Sequence, residues 1–397
     1  MTRIPGFTST GSKRPDAVFG ELAGQSGLPR RMVRSHGCRV EDEEGRSYID
    51  YVMGLGAVAL GYGHPEVTRA VQAAAADGVI GPLPPVLEEA VADTISGLMP
   101  WVEQVRFLKT GAEAAAAAVR LARTATGRDF VLGCGYHGWL DWCQAAGARG
   151  VPASTAASFG ELPFNDPERS VELIRAAGSG LAAVIIEPVI AAPPSEAWLG
   201  TLRSETERAG AALIFDEIKT IGRIGLGGAA GRWNVRPDLV VMGKAIGNGF
   251  PIAAVGGHSG IMSAAEHTWI SSTLATETVS LAAAQATLRV LERDEVPAHI
   301  ARVGGVLFAG FGELAERFPS LVIAARGIPE MCFLQMRDEH VSALVAAGCA
   351  RRGILLKRTA YDFVSLAHDE RIVEETLGVV EEVILEVERS GPGIPGA

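Results

Sequence analysis

The sequence is poor in cysteine, in net positive charge and in long apolar runs, and each shortage excludes a class of protein. Its five cysteines, Cys38, Cys134, Cys143, Cys332 and Cys349, are an odd number scattered along the chain with no Cys-x-x-Cys pair, so neither a disulfide framework nor a zinc ribbon is expected. Free thiols in a reducing compartment fit better. The eight histidines form no His-Glu-x-x-His segment, and no metal is expected. With 36 basic against 46 acidic residues the formal charge is −10, the wrong sign for a surface that neutralises nucleic-acid phosphates, although a local basic pocket stays open. No segment reaches the ~18 uninterrupted apolar residues of a membrane span, and MTRIPGFTSTGSKRPD holds no signal-peptide apolar core. The expectation is a cytoplasmic protein with neither nucleic-acid nor membrane partners.

Glycine is abundant instead, at 48 of 397 residues or about 12%, against a usual ~7%. No Gly-X-Y period and no solenoid repeat accompany it, so the excess implies many tight turns. The length allows two or three domains with a large core. Short β-branched runs alternate with alanine-rich helical stretches, which predicts a mostly parallel sheet covered by helices. The runs are Val105–Leu108, Phe130–Cys134, Ala182–Glu187, Ala212–Asp216, Leu239–Gly243 and Ala253–Gly257. AAVIIE, ALIFDE and LVVMGK read as strands buried on both faces. Glu187 and Asp216 close two of them and Lys244 follows a third, at spacings of 216 − 187 = 29 and 244 − 216 = 28, about one βαβ unit each. Ligands of open α/β sheets bind beyond the carboxyl ends of the strands, so these three ionisable groups are expected to converge.

Residues 34–51 read as a hairpin turning at Glu44-Gly45. The region after about 276 carries helical periodicity in LAAAQATLRVLERD and RIVEETLGVVEEVILEVER. This predicts a large domain over 61–275 and a smaller one built from 1–60 and 276–397. No role is expected of the terminal SGPGIPGA.

Several side chains stand where chemistry is done. Gly111 opens a helix whose first N–H groups can hold a phosphate, with Glu113 early and Arg120 and Arg123 late to suit its dipole. Tyr136 and His137 lie between two glycines at a strand end, where a ring can stack on a flat ligand or simply fill a core. Asp216, after a fully apolar strand, needs a cationic partner or serves as a helix N-cap. Lys244 lies between an apolar strand and a glycine-rich turn, where an apolar pocket lowers a lysine pKa and makes it a nucleophile or base; the alternative is a snorkelling surface lysine. Gly225, Gly227 and Ala230 have dinucleotide-fingerprint spacing but follow no strand, so a turn is expected.

Together RVEDEEGRSYIDYVMGLGAVALGYGHP, KTGAEAAAAAVRLAR, GYHGWLDW, IIEP, FDEI, GKAIGNGFPIAA and ISSTLATETVSLAAA resemble, in order and over nearly the whole chain, the class III aminotransferase family, most closely its glutamate-1-semialdehyde aminomutase-like branch. The resemblance implies an α/β, fold-type I pyridoxal-phosphate (PLP) enzyme: a large domain with a mostly parallel sheet between helices, plus a smaller α+β domain from both chain ends. It implies that Lys244 forms the internal aldimine with PLP and acts as the base, and that Asp216 pairs with the pyridine nitrogen so that charge flows into the ring as a quinonoid. It further implies that Tyr136 and Ile218 flank the ring, that Gly111 and Ala112 hold the phosphate, and that Thr273 reaches the phosphate of a neighbouring subunit in a homodimer. Glu187 is implied near the cofactor oxygen and His137 behind Tyr136.

Three departures bear on the reaction. Thr220 is followed by Ile221-Gly222-Arg223 where the family has Thr-Gly-aromatic-Arg, and Ala112 stands where Ser or Thr is common. YDFVSLAHDE lacks the arginine with which α-amino-acid users of the class grip a carboxylate. Lys357 and Arg358 are candidates for a carboxylate or phosphate clamp, or are a solvated basic pair. The expected activity is that of an aminotransferase or aminomutase acting on an amino group or carbonyl of a sugar, antibiotic or amino-acid-derived metabolite. A PLP lyase cleaving cysteine S-conjugates, a decarboxylation-dependent oxidative deaminase and a non-catalytic binding homologue are the alternatives.

Overall fold

The computed structural model describes residues 3–390, and the terminal tail beyond Ser390 lies outside the described residues. Two compact units are present: Pro65–Pro297, and the chain on either side of it.

The central unit is built on a seven-stranded sheet. In chain order its strands are β1 (Gln104–Leu108), β2 (Phe130–Cys134), β3 (Phe159–Glu161), β4 (Leu181–Ile186), β5 (Ala212–Asp216), β6 (Leu239–Met242) and β7 (Ala253–Gly257). They lie in the order β1-β7-β6-β5-β4-β2-β3. Neighbours from β6 through β3 are parallel, and β7 is antiparallel to both β1 and β6. The edge strand β3 has no counterpart among the expected runs.

Every residue of β4, β5 and β6 is buried, which explains their lack of polar alternation. Successive side chains go to opposite faces. Ala183, Ile185 and Ile214 join a core with the alanine-rich helix α3 (Gly111–Thr126), which follows α1 (Pro65–Asp77) and α2 (Val86–Leu98), whereas Val184, Ile186, Leu213 and Phe215 join one with Trp198, Leu199 and Leu202. Those last three belong to the helix Glu196–Ala209, which packs on the helix Pro167–Ala177, and Trp198 Nε1 donates to Ser170 Oγ at 3.0 Å across that contact. Small alanines let α3 lie close to β4, β6 and β7.

The helix Thr278–Arg293 packs on Pro65–Asp77 and Val86–Leu98, so it belongs to the central unit. The division therefore falls after Pro297, where 275/276 was expected. A run of helical periodicity shows that a face is buried but not which neighbour buries it.

In the terminal unit, Met32–His36, Arg39–Asp42, Ser47–Asp50 and Ile354–Leu355 form a four-stranded sheet in that order. The hairpin expected over 34–51 is present, with Val40 opposite Tyr48. A three-stranded sheet comprises Val322–Ile328, Met331–Met336 and Asp362–Phe363. Val303, Leu307 and Phe311 share an apolar core with Val380, Val383 and Ile384 of the helix Glu370–Ser390. Among the described residues, no helix is long and apolar enough to cross a membrane.

Candidate active site

The parallel arrangement brings the carboxyl ends of β2, β4, β5 and β6 to one edge of the sheet, and each delivers a polar side chain there. Asp216 ends β5 and is buried. It caps no helix: Oδ1 accepts the Ile218 N–H at 3.2 Å, and Oδ2 lies 2.8 Å from His137 Nδ1. A carboxylate oxygen only accepts, so Nδ1 donates. His137 is itself buried and stacked against Trp142, with ring centroids 6.2 Å apart. The partner of Asp216 is thus a histidine from the loop after β2.

Tyr136 is 69% exposed, so it fills no core. Its loop is held by Gly135 and Gly138, at φ 102° and 104°, in a region that side chains rarely adopt. A β-carbon on them would fall 2.6 Å from Glu187 Oε2 and 2.5 Å from the Ala112 Cβ. This backbone therefore presses against both Glu187 and the start of α3.

That helix begins with a capping box. The Glu113 N–H donates to Thr110 Oγ1 at 3.2 Å, and the Thr110 N–H donates to Glu113 Oε2 at 2.8 Å. Helical geometry gives the N–H groups of Gly111 and Ala112 no acceptor within the helix. Ile218 fills the space that a β-carbon on Gly111 would take and lies beside Gly243.

Lys244 follows β6 at φ 48°, a strained backbone for a lysine, and its side chain is half-buried rather than snorkelling. Burial, reinforced by the charge of Lys219, lowers its pKa to about 8; Glu187 and Asp216 oppose that shift and Arg223 adds to it. Glu187, just after β4, receives the Tyr136 N–H at 2.9 Å and pairs with Lys219 at 2.9 Å.

A helix N-terminus, a buried carboxylate, an exposed aromatic ring and a lysine of lowered pKa therefore gather at one sheet edge. The profile of the family Aminotransferase class-III matches residues 23–380. The chain belongs to the class-III aminotransferases. It is 35% identical over 400 residues to the glutamate-1-semialdehyde 2,1-aminomutase of Roseiflexus castenholzii (strain DSM 13941 / HLO8), with 92% of each chain covered. The structure of the PLP internal aldimine form of the Sphingopyxis sp. MTA144 FumI protein superposes with a TM-score of 0.89 at 25% identity, over 98% of this chain and 94% of that one. A transaminase with PLP bound gives a TM-score of 0.88 at 27% identity, over 98% and 96%. This class-III chain is a PLP-dependent enzyme with the fold-type I architecture. Its donor set fits that cofactor: backbone amides for a phosphate, a carboxylate for a pyridinium N–H and a depressed amine for an aldehyde.

Thr273 is exposed in a turn of the central unit. Lys357 and Arg358 belong to the terminal unit, where the Lys357 amine donates to the Ser12 carbonyl at 3.1 Å and an Arg358 nitrogen lies 3.8 Å from Glu339. They follow the short strand Ile354–Leu355 and point to different partners.

Sequence reasoning missed Lys219 and Glu217. Glu217 is fully buried, and burial pushes its pKa up to about 7 against the hydrogen bonds that hold it. It accepts the N–H groups of Ala229 and Ala230 at 2.9 Å each, and the Thr220 hydroxyl. The glycine run with dinucleotide-like spacing therefore serves a carboxylate of its own chain.

Proposed function

We propose that this class-III enzyme moves an amino group to or from an aldehyde or ketone carbon of a specialised metabolite, derived from a sugar, an antibiotic precursor or an amino acid, with Lys244 as its reactive lysine. The observation that carries this reading is the Lys244 amine, lowered to about 8 by burial and by Lys219, beside a buried aspartate braced by a histidine. Bound PLP supplies an electron sink for charge released at the amine-bearing carbon of the substrate.

The chain's residues divide the remaining work. The N–H groups of Gly111 and Ala112 bind the phosphate at the positive end of α3. Asp216 holds a proton on the pyridine nitrogen, with its carboxylate fixed by His137 Nδ1 and the Ile218 N–H. Tyr136 and Ile218 would flank the ring, and Glu187 would serve its oxygen. Lys244 Nζ takes a proton from the substrate carbon and returns it, a task suited to a group whose pKa lies near ambient pH.

The enzyme works in the cytoplasm as a homodimer in which Thr273 reaches the phosphate bound by the partner subunit. Supporting this, Trp269 and Leu274 beside it are 81% and 53% exposed, and Trp139 in the Tyr136 loop is 74% exposed, apolar surface that a monomer seldom leaves in water.

Single turnover on a panel of amino acids, amino sugars and cysteine conjugates tests the reaction. Amino transfer leaves the cofactor as pyridoxamine phosphate with one equivalent of carbonyl product. Release of pyruvate and a leaving group, or of carbon dioxide, with the cofactor recovered as PLP would replace transfer by elimination or decarboxylation.

A further inference from the structure

Glu187 serves two partners at once. Its Oε2 accepts the Tyr136 N–H at 2.9 Å, and its Oε1 lies 2.9 Å from Lys219 Nζ, with the two side chains of that ion pair only 9% and 12% exposed. Lys219 stands in the turn after β5, three residues beyond Asp216. The pair therefore ties the turn after β5 to the loop after β2 through a residue at the end of β4.

Lys219 is paired with Glu187, and Glu187 and Asp216 are the acidic groups that act on Lys244. Of these, Asp216 is engaged by His137 and the Ile218 N–H. Glu217 is engaged by the N–H groups of Ala229 and Ala230 and the Thr220 hydroxyl. Arg223, the other cation acting on Lys244, is fully buried. Glu187 is the anion that pairs with Lys219 and also acts on Lys244. We propose that Lys219 is a positioning residue of the active site: by holding Glu187 in its own ion pair, it weakens the support that Glu187 gives the Lys244 ammonium and places that amine in the field of a second cation.

The physical reasoning is direct. A half-buried ammonium is stabilised by an adjacent carboxylate and destabilised by an adjacent cation. Without Lys219, Lys244 would lose a repulsion and gain an attraction together, and more of it would be locked as ammonium. Conversely, a cation at position 219 of the right reach keeps Lys244 a nucleophile near neutral pH. The charges acting on Lys244 follow this sense: Lys219 and Arg223 favour the neutral amine, while Glu187 and Asp216 favour the ammonium.

This inference rests on Lys244 being the cofactor lysine, and the test separates the two claims. The full-length protein freed of cofactor is exposed to trace acetic anhydride across a pH series, and acetylation of the Lys244 peptide is quantified by mass spectrometry. The wild type should be half-reactive near pH 8. Lys219→Met should move that midpoint upward by about one pH unit, which lowers Lys244 labelling at pH 7.5 about eightfold. Lys219→Gln can still donate to Glu187 Oε1 but carries no charge, so it should shift the midpoint in the same direction even where the methionine variant fails to fold. Lys219→Arg should restore the wild-type profile. A merely structural role for Lys219 would lower the melting temperature of the variants without moving the midpoint, and an unmoved midpoint overturns the proposal. Separately, borohydride reduction of the loaded wild type that marks a lysine other than Lys244 would overturn the underlying reading, whatever the midpoints.

Discussion

Replacing His137 by phenylalanine isolates the contact that fixes Asp216. The substitution keeps a flat ring against Trp142, 6.2 Å away between centroids, and removes one donor, Nδ1, from a 2.8 Å hydrogen bond between two buried side chains. Asp216 would keep only the 3.2 Å bond from the Ile218 N–H. A hydrogen bond to a charged group contributes about 1.5–3 kcal/mol net, and stranding the buried acceptor puts the cost at the upper end of that range. His137→Phe should therefore destabilise the cofactor-free protein by about 2–3 kcal/mol, read as a lowered urea midpoint. His137→Asn, whose amide can donate from near the Nδ1 position, should lose less than half as much. PLP affinity should follow the same order, since a carboxylate that has lost its brace is poorly aimed at a pyridinium N–H. A loss below about 0.5 kcal/mol in the phenylalanine variant, or equal losses in both, would refute the reasoning.

Because burial and Lys219 hold the Lys244 pKa near 8, the neutral amine becomes the major form above that pH. The rate of PLP uptake by the cofactor-free protein, followed by absorbance, should rise with pH through about 8 and then level off; a rate independent of pH from 7 to 9 would contradict the shift. Gly138→Ala combines φ 104° with a β-carbon 2.5 Å from that of Ala112. Strain and overpacking at about 1–3 kcal/mol each should lower the melting temperature and weaken phosphate binding together. Thr110→Val removes the N-cap of α3 and should cost about 1 kcal/mol in urea denaturation. Trp269→Glu, at an 81% exposed apolar position, should convert the proposed dimer to monomer in light scattering, whereas an unchanged mass would place the interface elsewhere.

The strands that carry the site were legible because burial on both faces removes polar residues from them. AAVIIE and ALIFDE correspond to β4 and β5 within a residue at either end, and LVVMGK starts with β6 and overruns its end by two residues. Strand β3 was not legible, because three residues, Phe-Gly-Glu, on a sheet edge carry neither alternation nor an apolar run. Glu187, Asp216 and Lys244 could be placed at strand ends by the apolar runs they follow, but their partners could not. His137 precedes Asp216 by 79 residues, and Lys219 follows Glu187 by 219 − 187 = 32. Such pairs exist only once β2, β4 and β5 lie side by side. The glycine excess likewise had local causes that composition could not name, such as the paired turns at Gly135 and Gly138 that bring the Tyr136 loop against α3 and Glu187.

The central claim is that Lys244 is the residue that holds the cofactor, and peptide mapping after borohydride reduction of the PLP-loaded enzyme tests it most directly. The account predicts one modified peptide, spanning Lys244, carrying the reduced cofactor, and a Lys244→Ala variant that is left unmodified. Modification of Lys219 or any other lysine in the wild type, with Lys244 untouched, would contradict it.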